Sequence, residues 1–254
     1  MSSSPIRSFE QLHHHLAQLP SRCRVAVAHP ADAHTLQAVL NAVHLGFVEA
    51  FLVGEVHAPL LEKLSSETAA WVHHIPASDA GAAMQQAVQM VHDGEADALM
   101  KGLVNTDDLL RHVLNKTYGL RQEGAVISHV AAFHLPILER IVLMTDVAVI
   151  PTPSPEQRRA QLTYATALAH QLGIDTPRVA LLHFCEKISD KFPLTLDYAA
   201  LKEEANEGVF GKVIVDGPLD LLCSLSPQGL ADKHLTSVLE GKADVLLFPD
   251  IETG

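Results

Sequence analysis

Short apolar runs alternate along the chain with longer stretches whose apolar residues recur every three or four positions. This alternation predicts strand–helix–strand units and mostly parallel sheets, an α/β fold. Phe9, Leu12, Leu16 and Leu19 predict a first helix closed by Pro20. Residues 24–29, Arg-Val-Ala-Val-Ala-His, predict a buried strand, and Leu36, Val39, Leu40 and Val43 share one face of a helix that stops near Gly46. Strands are expected at 50–53 and 71–75. A helix capped by Ser78 runs to His92 and turns Ala83, Met84, Ala87, Val88 and Val91 inward. A strand at 96–100 enters Lys101-Gly102, and a helix begins at Asn105 or Thr106.

The texture changes near residue 125. Residues 125–133 and 140–150 are long extended runs with little helix between them, which marks the crossing into a second unit. A turn at 151–155 leads into a helix to about Leu172. Strands at 178–183, 212–215 and 243–248 follow, separated by helices near 195–206 and 218–225.

Composition narrows the class. Of 254 residues, 48% are hydrophobic and 19% charged, which excludes a disordered chain. Eighteen basic against thirty acidic side chains leave a net charge of −12, a field that repels nucleic-acid phosphates and anionic lipid surfaces. No apolar run approaches the roughly 18–20 residues of a membrane span. Cys23, Cys185 and Cys223 are scattered and odd in number, as expected of reduced thiols. With an opening Met-Ser-Ser-Ser-Pro that lacks the pattern of an export signal, a cytoplasmic protein is expected.

The chain has no G-x-G-x-x-G, no G-x-x-x-x-G-K-[ST], no H-E-x-x-H and no G-x-S-x-G. Sixteen histidines suggest metal, but His13, His14 and His15 lie in a helical pattern and point in different directions. His73 and His74 face opposite sides of a strand. What remains is a set of polar residues at expected strand-to-helix turns: His29 with Asp32, Lys101 with Asn105 and Thr106, Asp216, and Asp250. Each suits a cap or turn. Together they suit a cleft for an anion, since parallel folds bind ligands at the carboxyl ends of strands, beside helix N-termini. Arg111 and Arg121 follow closely, and a guanidinium fork matches phosphate.

Several blocks carry a resemblance. Met100-Lys-Gly-Leu-Val-Asn-Thr106, Val113-Leu-Asn-Lys116, Gly119-Leu-Arg121 and Ser128-His-Val-Ala-Ala-Phe133 stand in order before Val215-Asp-Gly-Pro-Leu219 and residues 241–254. In this order they resemble the butyryl branch of the phosphate acetyl/butyryltransferases, from about Arg24 to the end. The resemblance implies a two-domain fold like that of isocitrate and isopropylmalate dehydrogenases, with mostly parallel sheets and an inter-domain cleft. Residues 1–128 would form the first domain and 129–254 the second. The turns at 101–106, 216–218 and 250–254 would meet near one cleft.

It also implies reversible transfer of a butyryl or branched short-chain acyl group between coenzyme A and phosphate. No metal and no resident cofactor are expected, coenzyme A being a substrate, and a homodimer or higher homo-oligomer is implied. Asn105 and Thr106 match a Ser/Thr pair that faces the phosphoryl group, with Asn in place of a hydroxyl residue. Arg111 matches an arginine for substrate or coenzyme A phosphate. Lys101, Arg121, His129, Asp216, Gly217, Asp250 and Gly254 carry over as further substrate-binding positions.

The catalytic Ser, Arg and Asp of the resembled family lie in a segment after the position of Gly254, so little turnover is expected of these 254 residues. A phosphate acetyltransferase, another acyl-phosphate or hydroxyacid-dehydrogenase member of the same superfold, and a catalytically silent protein that binds coenzyme A or phosphate are the alternatives.

Overall fold

The computed structural model describes residues 4–254. They form two compact units, one of residues 13–125 and one that joins the described residues up to Leu12 to 126–254. Helix α1 (Phe9–Ala17) runs across the division and buries no residue. Its expected apolar stripe stays largely open, with Phe9 40% and Leu19 48% exposed. Leu12 packs against the second unit's core, and the Ile6 N–H donates to Leu172 O at 2.8 Å.

The 13–125 unit is a four-stranded parallel sheet in the order β3-β2-β1-β4, formed by β1 (Cys23–Ala28), β2 (Val48–Val53), β3 (Val72–Ile75) and β4 (Ala98–Lys101). Right-handed crossovers fix which face each helix covers. The step from β1 to β2 and the step from β3 to β4 travel in opposite directions along the sheet. Helix α2 (Ala33–His44) therefore covers one face and α5 (Ala80–His92) the other, where α6 (Thr106–Val113) joins it. Two four-residue helices, α3 (Ala58–Leu61) and α4 (Ser66–Ala69), lie between β2 and β3 and are too short to leave a period in the sequence. The cap of α5 is Asp79, not Ser78. Its Oδ1 accepts the Ala82 N–H at 2.9 Å, and the Ser78 hydroxyl donates to its other oxygen. On this helix Met90 is buried and Val91 only partly.

The 126–254 unit carries five strands in the order β5-β6-β9-β7-β8. They are β5 (Ala131–Leu135), β6 (Arg140–Thr145), β7 (Arg178–Leu182), β8 (Ile214–Leu219) and β9 (Val245–Leu247), and β5 alone is antiparallel. Helices α7 (Pro155–Gln171) and α8 (Pro193–Asn206) pack on one face over Leu143, Leu181 and Leu247. The short α9 (Leu221–Leu225) and α10 (Pro227–Asp232) lie on the other face, over Val142, Leu182 and Leu246. The two extended runs expected after residue 125 are shorter here, because residues 125–130 and 146–150 lie outside the strands.

Asp216, Gly217 and Pro218 were expected in a strand-end turn and instead lie inside β8. The reason is position. β8 is an edge strand, where a residue without an N–H is tolerated, and its pairing with β7 shifts register between Ala180 and Leu182. Gly217 is required there, since a Cβ would lie 2.5 Å from Leu181 O and its φ is +150°. Among the described residues no helix is long and apolar enough to cross a membrane.

Candidate active site

In the 13–125 unit α2 follows β1 onto one face of the sheet and α6 follows its neighbour β4 onto the other, and the crevice between such divergent connections is where open parallel sheets take ligands. His29 follows β1 in a left-handed conformation, φ 57°. That turn aims its carbonyl at the loop after β4. Leu103 donates to His29 O at 2.9 Å and Gly102 to Ala28 O at 3.0 Å. Asp32 caps α2 through the Thr35 N–H at 2.8 Å, and hydrogen bonds from Thr35 hold its pKa below the usual carboxylate range. His29 Nδ1 and Asp32 Oδ2 are buried without partners.

Asn105 caps α6, its Oδ1 accepting the Asp107 N–H at 2.8 Å, and Thr106 opens the helix. Lys101 turns back on its own loop, Nζ donating to Val104 O at 3.0 Å and Gly102 O at 3.3 Å. Lys101, Asn105 and Thr106 thus share one loop. Arg111 lies outside it, with its side chain 75% exposed and ion-paired to Asp108 on the same helix. Asp107 and Asp108 occupy the first turn of α6 and offset the positive end of its dipole. Arg121 is exposed in the segment after the helix and makes no ion pair among the described residues.

In the 126–254 unit the strand-end residue that sequence reasoning missed is Asp146. It follows β6 and is 1% exposed. Its Oδ2 accepts the Ser128 hydroxyl at 2.8 Å and the His129 N–H at 3.1 Å, and its Oδ1 accepts the Ala148 and Val149 N–H groups at 2.9 Å. Burial pushes its pKa up, the hydrogen bonds pull it down, and the hydrogen bonds win. A carboxylate inside the apolar run 140–150 was the available signal. His129 is held through its backbone, with Nδ1 buried and unpartnered.

Asp250 follows β9 and caps its own turn, Oδ1 accepting the Thr253 N–H at 3.0 Å, while Gly254 lies against Val147. Asp216 lies inside β8. It binds Lys202 and Ser237 at 2.6 Å and lines an open pocket of about 550 Å³ with Asn206 and Thr236. Gly217 donates its N–H to the same carboxylate at 2.9 Å.

Glu186, Asp220 and Cys223 bring potential metal-ligating atoms within 4.8 Å of one another. Lys233 already supplies the cation, its Nζ 2.5 Å from Glu186 and 2.6 Å from Asp220. Burial, then Asp220, pushes the Cys223 thiol up to about 11, which disfavours a thiolate ligand.

Residues 75–254 match the model of the phosphate acetyl/butaryl transferase family. The chain is 38% identical to phosphate butyryltransferase of Clostridium acetobutylicum, over 91% of this chain and 77% of that protein. It is 32% identical to phosphate acetyltransferase of Thermotoga maritima, over 90% of this chain and 78% of that one. Among solved structures it resembles a branched-chain phosphotransacylase from Enterococcus faecalis, with a TM-score of 0.77 and 28% identity, covering 91% of this chain and 81% of that one.

Proposed function

From the premise that this chain belongs to the phosphate acetyl/butaryl transferase family, we infer an enzyme of reversible acyl transfer, acyl-CoA + phosphate ⇌ acyl phosphate + CoA. In one direction the coenzyme A thiolate attacks the acyl-phosphate carbonyl, the C–S bond forms, the C–O bond breaks and phosphate leaves. A base must take the thiol proton, and donors must meet the oxyanion.

The acyl group we propose is butyryl or a branched short chain. The observation that carries this reading is the 38% identity to a butyryltransferase across 91% of the chain, against 32% to an acetyltransferase. Thiol release from butyryl-, isobutyryl- and acetyl-CoA in the presence of phosphate tests it. The expected kcat/KM for the four-carbon substrates exceeds that for acetyl-CoA by about tenfold or more, within what extra methylenes earn in an apolar pocket. Equal values, or a preference for acetyl-CoA, would reject it.

For binding we propose the loop at Lys101, Asn105 and Thr106, with Arg111 swinging from Asp108 to a coenzyme A phosphate. Asp146 organises Ser128 and His129 on the other unit, where Asp250 and Gly254 also lie at a strand end. Calorimetry should show Arg111→Ala weakening coenzyme A binding by about tenfold with an unchanged melting temperature. An unchanged affinity would remove Arg111 from the site.

We further propose that the chain assembles as a homodimer through the 126–254 unit. The support is its exposed hairpin, where Phe133 is 45% and Ile137 91% exposed beside the edge strand β5. Sedimentation at micromolar concentration should give a dimer, and Ile137→Asp a monomer.

A further inference from the structure

All four strands of the 13–125 unit run parallel, so their starts share one end of the sheet. The loop that carries Lys101, Asn105 and Thr106 is at the other end, about 20 Å away along a six-residue strand such as β1. At the starts lies an open cavity of about 650 Å³. Backbone hydrogen bonds assemble its floor from segments far apart in sequence. The Cys23 N–H donates to Phe47 O at 2.9 Å, the Ala50 N–H to Trp71 O at 2.9 Å and the Asp97 N–H to Arg24 O at 2.7 Å.

Two of the charged side chains that line the cavity close on each other. Arg24 donates from Nη2 to Asp97 Oδ1 at 2.7 Å and from Nε to Oδ2 at 3.2 Å, and its backbone N–H reaches Oδ2 at 2.9 Å. Two others stay open. Arg22 Nη1 donates to Val43 O at 2.8 Å and Val48 O at 3.0 Å, and its Cζ lies 4.2 Å from the Trp71 ring centroid. These contacts fix the guanidinium but leave its Nε and Nη2 without a partner among the described residues, and no carboxylate there pairs with it. Glu49 meets His73 Nε2 through Oε1 at 2.7 Å and keeps Oε2 unpartnered among the described residues. Arg22 directly precedes β1 and Glu49 belongs to β2, neighbouring strands about 4.8 Å apart. Beside them Trp71 is 38% exposed, and Leu19 and Pro20 add apolar surface.

Complementarity selects the occupant. A simple anion would face Glu49 and Asp97, and a simple cation would face Arg22 and Arg24. An uncharged apolar molecule would strip water from Arg22 and Glu49 and return no hydrogen bond. A compact zwitterion with an apolar side chain avoids all three penalties. Its carboxylate suits the Nε–Nη2 edge of Arg22, its ammonium Glu49 Oε2, and its side chain the Trp71 indole.

We propose that the cavity formed by Arg22, Glu49 and Trp71 is a binding site for a free apolar α-amino acid. The site is independent of the acyl-transfer reading, because occupancy is measured without turnover.

Trp71 is the only tryptophan of the chain, so its emission reports occupancy directly. The test is titration of the whole chain with L-leucine, followed by Trp71 fluorescence and by calorimetry. Leucine should change the emission saturably and give the same Kd by both methods. N-acetylleucine lacks the ammonium, leucinamide the carboxylate and glycine the side chain; each should bind at least about tenfold more weakly. Glu49→Gln keeps the shape and a neutral hydrogen bond to His73. It should melt as wild type does and bind leucine at least about tenfold more weakly. Arg22→Met should lose leucine binding; because Arg22 also holds the Val43 and Val48 carbonyls, Glu49→Gln decides if that variant does not fold. A wild type that ignores leucine overturns the proposal. So does a folded Glu49→Gln protein that binds leucine as wild type does, or any of the three analogues binding as tightly as leucine. Loss of acyl transfer with leucine binding intact would count against the enzymatic reading alone.

Discussion

A Cβ at Gly102 would lie 2.4 Å from the Ala28 carbonyl oxygen, closer than any backbone tolerates. That missing methyl is what lets the loop after β4 close onto the end of β1. Gly102→Ala should cost about 1–3 kcal/mol in urea unfolding, as overpacking does. An alanine variant of unchanged stability would show that the two loops are not held in contact. Asp146 makes the complementary case for a charge. Its pKa lies below the ordinary 3.8 in the folded chain, where four hydrogen bonds outweigh the push of burial. As pH falls below about 3.8 the unfolded chain takes up the proton first, so the stability Asp146 contributes is complete above that value and drains away below it. Asp146→Asn should cost about 1–3 kcal/mol at pH 7 and flatten the acid limb of a stability–pH profile. An acid limb as steep as that of wild type would contradict this assignment.

Among the elements, α7 shows local sequence and tertiary demand side by side. Its start is written locally. Ser154 accepts the Gln157 N–H at 3.3 Å, Gln157 Oε1 accepts the Ser154 N–H at 2.8 Å, and Pro155 stands at the first helical position. Ser154→Ala should lower stability by about 1 kcal/mol, read as a shift in the urea midpoint with an unchanged slope. Its buried face is another matter, since Arg158 and Gln161 occupy positions that periodicity alone would assign to solvent. Helix α6 has the opposite character. Its strong amphipathic pattern is legible, but Asp107 and Asp108 in its first turn and the Arg111–Asp108 pair temper the anion site its N-terminus suggested.

For the whole molecule, each unit closes a sheet between its own helices. The first holds separate cores on its two faces, around Ala26 and Val88 on one and Val27 and Leu40 on the other. A fragment of residues 18–125 should therefore fold alone and melt cooperatively, with ellipticity at 222 nm as the readout. A gradual, non-cooperative loss of signal would show that its cores do not suffice.

The alternation of apolar runs was enough to locate β1, α2, β2, α5 and α7 to within a few residues, because burial on one face imposes a period that needs no knowledge of neighbours. The chain passes from one unit to the other between residues 125 and 126. Short elements escaped, since one turn of helix, as in α3 or α4, leaves no period to read. Asp216 was read as a turn residue because Gly-Pro usually ends a strand, yet pairing at a sheet edge carried β8 through it. Asp146, Arg158 and Gln161 were decided by tertiary structure alone. A buried polar group is stabilised or left wanting by partners far along the chain, and a linear pattern does not contain those distances.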